Sequence, residues 1–220
     1  MTGAVVRERF LKDERGFTLS EMLVTTMIMI VVLFTLFSIF DMSLKVFSSG
    51  NNKVEAVESA RVGLEKMERE IRQAYIVNNA SSPTYLFFDS ATPANPLAVP
   101  PTTRTDLTFG NELGNPGDGV ITCGSPCEYI TYKLTNADGT AACIQAPCTL
   151  WRVGPPNSAP VVENVALNGL SFTFLTSNGG TPANESEVGI VLVKLTVVVD
   201  QGIGNDGTQT LTTVVDLRNR

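Results

Sequence analysis

Glu21 is the residue whose chemistry most needs an explanation. It stands directly before Met22–Phe40, nineteen residues without a charge, and an ionised carboxylate in apolar surroundings is costly unless a cation meets it. A cut between Gly16 and Phe17 would supply one. It frees an α-amino group four residues before Glu21, and a neighbouring copy could present that amine to the carboxylate within an apolar core. Such a pair would fix axial register, because a displaced copy leaves both charges unpaired in a low dielectric. Gly16 suits the cut, since a residue with no side chain lets the backbone enter a tight protease cleft in an extended form.

The other chemically capable residues are fewer than the length suggests. Histidine is absent, which removes the commonest general base and the commonest zinc ligand. Four cysteines lie as Cys123-Gly-Ser-Pro-Cys127 and Cys143-Ile-Gln-Ala-Pro-Cys148. An even number in an exported chain argues for two disulfides, and the two local pairs are favoured because each sits in a proline-containing turn ahead of a predicted strand. Crossed pairing stays open, as does a four-thiolate zinc site, although both spacings are wider than the usual two-residue gap. The same wide gap speaks against a redox centre. Asp200, Asn205 and Asp206, with the Asn115–Asp118 loop, offer oxygen ligands of the kind calcium takes, but Asn, Asp and Gly are also what hairpin turns are made of. No phosphate loop, nucleophile elbow or carboxylate pair stands out, so no enzyme is expected and no cofactor beyond that weak calcium candidate. The net charge of -6 is spread without blocks and gives no nucleic-acid signal.

These residues need elements to position them. As a helix, Met22–Phe40 would be about 30 Å long, the thickness of a bilayer core. Arg7, Arg9, Lys12 and Arg15 precede it, and this basic asymmetry holds the N-terminus in the cytoplasm and exports the rest. A secretory signal would have a shorter apolar region and small residues at its end, whereas Asp41, Met42, Leu44 and Phe47 follow here. A plain single-pass anchor is the stronger alternative, but it gives no reason for a carboxylate just inside the apolar segment.

A short charged leader, then Gly16-Phe17-Thr18-Leu19-Ser20-Glu21 and an unbroken apolar run, resembles the precursors of type IV pilins and type II secretion pseudopilins. The resemblance implies cleavage after Gly16 and N-methylation of Phe17 by a prepilin peptidase, with Glu21 needed for assembly. It implies an inner-membrane assembly platform and other pilin or pseudopilin subunits as partners. The localisation it implies is a single-pass membrane precursor with an extracytoplasmic head, later a filament. Unlike many major pilins, this chain has no Pro or Gly between Phe17 and Phe47, which puts a local melting of the helix on assembly in doubt.

Beyond the span, Val54, Val57, Leu64, Met67, Ile71 and Ala74 fall on one helix face, while Glu55, Glu58, Arg61, Glu65, Lys66, Glu68, Arg69, Glu70 and Arg72 occupy the others. Glu65 with Arg69 and Glu68 with Arg72 have the favourable four-residue spacing. Ser48–Asn52 is poor helix material and a place where the rod can bend or break; if it does not, Phe17 to Tyr75 forms a single helix of about 90 Å. After Asn78, Pro, Gly, Thr and Asn punctuate short β-branched runs, predicting strands at 85–88, 106–109, 129–134, 149–153, 170–175, 188–199 and 209–217. In the sixth, Val191, Val193, Leu195, Val197 and Val199 line one face, so one side packs and the other meets solvent.

The expected architecture is α+β, a long N-terminal helix on an antiparallel sheet, divided into a leader (1–16), a membrane or filament-core helix (17–47), an amphipathic extension (48–77) and a β-rich head (78–220). The element order, with Ala60–Arg72, Val188–Val199 and the terminal Leu211–Asn219 strand, resembles the larger minor pilins of the PilW type and the J-type minor pseudopilins. Three readings follow from the sequence: a structural minor pilin or pseudopilin, an anchored binding module that never assembles, and a surface hydrolase on a pilin stalk. The last lacks any visible catalytic cluster. Pilus, secretion and DNA-uptake machines would all use the same helix.

Overall fold

A computed structural model describes residues 16–74, 87–88, 103–111, 128–184, 187–200 and 206–217. Helix α1 runs from Leu19 to Arg72. Eight strands follow: β1 (Phe87–Phe88), β2 (Thr103–Arg104), β3 (Leu107–Gly110), β4 (Tyr129–Thr135), β5 (Cys148–Val153), β6 (Ala159–Thr176), β7 (Val188–Asp200) and β8 (Asp206–Asp216). They form one sheet in the order β1-β3-β4-β5-β6-β7-β8, with β2 beside the second half of β6, and every pairing is antiparallel. The α+β layout expected from the sequence is present.

The chain divides between Phe47 and Ser48 into two compact units. In the first, α1 begins at Leu19, and every residue from Gly16 to Phe47 is exposed. Its apolar stretch is long and apolar enough to cross a membrane. Several of its hydroxyls are satisfied within the helix: Thr25 donates to the carbonyls of Glu21 and Met22, Thr26 to Leu23, Thr35 to Val31 and Ser43 to Ile39, all at 2.9–3.0 Å. That is what a helix without water requires, because an unsatisfied polar group in hydrocarbon is expensive. Of the two courses the sequence left open at Ser48–Asn52, an interruption and an unbroken helix, the second is observed, and all five residues are helical. Once a helix is nucleated, each poor residue adds only a modest propagation cost of up to about 1 kcal/mol, which strong flanks absorb.

In the second unit the helix buries Ala60, Gly63, Leu64, Met67 and Ile71. Their spacing makes one stripe, shifted from the expected one: Val57 is half-buried and Val54 is exposed, while Ala60 and Gly63 take the inner positions. Gly63 is there because of a close approach. A Cβ at this position would lie 2.2 Å from Val162 Cγ2 of β6, so no larger residue fits unless the Val162 side chain gives way. The sheet supplies Phe87, Phe109, Ile130, Tyr132, Leu150, Phe172, Phe174, Val193, Leu195 and Val215 to the same core. Phe87 and Phe174 meet with ring centroids 5.0 Å apart, a tilted contact favoured by aromatic quadrupoles.

Strand β7 follows its predicted alternation, with Val191, Val193, Leu195, Val197 and Val199 buried. Its other face carries Ile190, Leu192 and Val198 beside Lys194 and Thr196, so that face is less polar than alternation alone suggested. The larger departure is β6, expected at 170–175 and observed from Ala159 to Thr176. Asn164 and Asn168 adopt positive φ (57° and 56°), and the pairing with β7 shifts register between Val165 and Leu170. Asparagine tolerates that conformation, so residues that read as turn formers instead mark a bulged strand.

Candidate functional site

The residues expected to carry cleavage and assembly come together at the start of α1. Gly16 and Phe17 precede the helix in irregular backbone, exposed, with open space around the Gly16 α-carbon. Thr18 is the N-cap. Its amide donates to Glu21 Oε2 at 3.0 Å and its hydroxyl to the same oxygen at 2.9 Å, while the Glu21 amide donates to Thr18 Oγ1 at 3.3 Å. Ser20 Oγ lies 3.1 Å from that hydroxyl. This is a capping box, in which cap and third helical residue satisfy each other's amides, and the sequence Thr-Leu-Ser-Glu is its signature. The carboxylate also sits where the helix macrodipole favours negative charge.

Glu21 therefore has a local reason to stand where it does, one that sequence reasoning did not consider when it set the carboxylate against a plain anchor. The capping box engages Oε2 only. No other formal charge falls between Phe17 and Phe40.

Cys143 and Cys148 form a disulfide, closing the local loop ahead of β5. Cys148 is buried and Cys143 packs against the core. Cys123 and Cys127 lie outside the described residues, as do Asn205 and the 115–118 loop. The backbones of Asp200 and Asp206 face each other as the last register pair of β7 and β8. Among the described residues no group of three metal-ligating side chains converges. A groove of about 910 Å³ is lined by Asn52, Glu55, Ser59, Val161, Glu163 and Asn164 among others, and offers carboxylates and amides but no nucleophile paired with a base.

A second polar cluster lies under the last turns of α1. Glu70 accepts from Arg152 Nε on both carboxylate oxygens, at 3.0 and 2.8 Å, and from the Tyr132 hydroxyl at 2.7 Å. Arg152 Nη1 donates to the carbonyls of Gly154 and Asn157, and Nη2 to that of Pro155, at 2.7–3.2 Å. Burial, with the Glu70 charge beside it, pushes the Tyr132 phenol well above its ordinary value of 10. Nearby, Thr213 donates to Glu68 at 3.1 Å, and Glu68 also pairs with Arg72 as the spacing predicted. The predicted Glu65–Arg69 pair does not form; on the exposed face Arg61 pairs with Glu58 instead.

No known protein family, curated protein or solved structure matches this chain.

Sequence reading assigned Glu70 to the solvent faces of the helix and gave Arg152 and Tyr132 no role. The signal was present in the strand periodicity. Cys148, Leu150 and Arg152 share one face of β5, and Ile130 and Tyr132 share one face of β4, so the arginine and the phenol had to point inward with the core residues. A charge on an inward face demands an opposite charge, and Glu70, flanked by the buried Met67 and Ile71, is the one the helix supplies.

Proposed function

We propose that this chain is a pilin-class subunit, a minor pilin or minor pseudopilin, made as a membrane-inserted precursor, cut after Gly16 by a prepilin peptidase and assembled into a filament through the N-terminal part of α1. Its work is assembly, not catalysis. The partners are other pilin or pseudopilin subunits and an inner-membrane assembly platform, with the β-rich head on the extracytoplasmic side. One observation carries the reading: a glycine-phenylalanine junction lies in open, irregular backbone immediately before a capped helix whose first 29 residues, Leu19–Phe47, are all exposed, with Glu21 the single acid ahead of the uncharged run Met22–Phe40. That much apolar side chain in contact with water is unstable, so it must face lipid or other helices.

A second reading is favoured by the capping box. If Glu21 serves only to start the helix, the chain is a single-pass anchored head that never assembles. Glutamine separates capping from charge pairing, because its amide oxygen can still accept from the Thr18 amide while its charge is gone. Filament incorporation, measured as protein in the sheared filament fraction of cells expressing Glu21→Gln, should fall at least about tenfold if the carboxylate pairs with a neighbour's amine, given the cost of an unpaired buried charge. Variant incorporation at the parental level would remove the pairing mechanism, and absence of the unsubstituted chain from that fraction would favour the anchored head.

A further inference from the structure

Arg152 is held in a way that mere charge neutralisation does not require. Nη1 donates to the carbonyls of Gly154 and Asn157 and Nη2 to that of Pro155, all in the turn between β5 and β6, while Nε donates to Glu70 on the helix. The turn thereby restrains the direction in which the guanidinium meets a helical carboxylate. Tyr132, fully buried on β4, points its hydroxyl at the same carboxylate from the neighbouring strand. Glu70 meanwhile stands two residues from the end of α1, where the macrodipole disfavours an anion. Side-chain exposure is only 4% for Arg152 and 13% for Glu70, so both charges have left most of their water.

Such a pair is a poor way to gain stability, because desolvation offsets most of the attraction and a well-packed apolar replacement often folds as well. It is a good way to gain specificity. The apolar surfaces it joins discriminate weakly: Leu64, Met67 and Ile71 are similar in volume, and the inward face of β7 repeats Val191, Val193, Leu195 and Val197 along its length. Gly63 makes one close approach, to the Val162 side chain, and Glu70 lies seven residues, two helical turns, beyond it on the same side.

We infer that Glu70, Arg152 and Tyr132 form a register lock: they select one seating of the last two turns of α1 on the sheet, out of several that the apolar contacts alone would tolerate. The lock ties the helix end to the β5–β6 turn through one side chain, and it operates whether or not the chain enters a filament.

The test uses the full chain in detergent micelles. Thr213, in contact with Glu68, is replaced by cysteine together with Glu68→Cys (in register), Arg72→Cys or Glu65→Cys (displaced by about one turn), and the rates of linkage by a short bifunctional thiol reagent are compared. In the parental background the in-register pair should link at least about tenfold faster than either displaced pair, as one dominant seating requires. With Glu70→Leu and Arg152→Met the chain should unfold at a similar denaturant concentration, but the preference should fall to about threefold or less. Should that double variant fail to fold, Glu70→Gln, which keeps the size and a hydrogen-bond acceptor, should lose most of the preference in the same way. An undiminished preference in whichever of these variants folds would show that packing alone sets the seating and would overturn the inference.

Discussion

At the scale of single residues, Thr18 and Glu21 divide two tasks that sit on the same atoms. The threonine closes the helix start through its hydroxyl and amide, and the acid answers both. Thr18→Val should therefore destabilise the first turn by about 1 kcal/mol, the usual loss on removing an N-cap, seen as faster amide exchange at residues 19–22 in micelles, while Thr18→Ser should restore it. Tyr132 makes a different prediction. Its phenol titrates above the ordinary value because burial and the Glu70 charge both oppose ionisation. The folded form thus holds this proton where the unfolded chain releases it, so the contribution is complete below pH 10 and is lost progressively as pH rises beyond it. Tyr132→Phe should flatten the loss of stability above pH 10 in denaturant titrations, with an added cost at neutral pH from the missing bond to a charged acceptor, about 1.5–3 kcal/mol.

At the scale of elements, the helix and most strands could be read from periodicity because each has one dominant environment. Strand β7 alternates between core and surface and was legible to within a residue or two. The first half of β6 was not, since Asn164, Asn168 and Gly169 carry turn chemistry into a strand whose bulge needs it. The two residues of β2 were missed because their pairing with β6 is purely non-local. The capping box was written plainly in Thr-Leu-Ser-Glu, yet went unread because Glu21 had been explained by its membrane setting. Glu70 was hidden by its chemical type, since a charge in an amphipathic helix is assigned to water unless the strands facing it are read together. Gly63 is the element-scale counterpart: glycine lowers helix propensity, and its value appears only with Val162 opposite. Gly63→Leu should destabilise the head by about 2–3 kcal/mol in urea unfolding despite better helix propensity, because overpacking against β6 outweighs the propensity gain of under about 1 kcal/mol.

At the scale of the whole molecule, the two compact units differ in what they bury. Residues 48–217, where described, bury a continuous core of helix and sheet, closed on one side by the Cys143–Cys148 loop. Every residue of 16–47 is exposed, several of their hydroxyls are satisfied internally, and the helix is long and apolar enough to cross a membrane. The proposed function connects these facts through one covalent event at Gly16–Phe17, and that event can be observed directly. Mass spectrometry of the N-terminal peptide, on protein recovered from cells that contain a prepilin peptidase, should find a chain beginning at N-methylated Phe17. Recovery of an intact peptide spanning Gly16 and Phe17, with the residues before the junction still attached, would contradict the account.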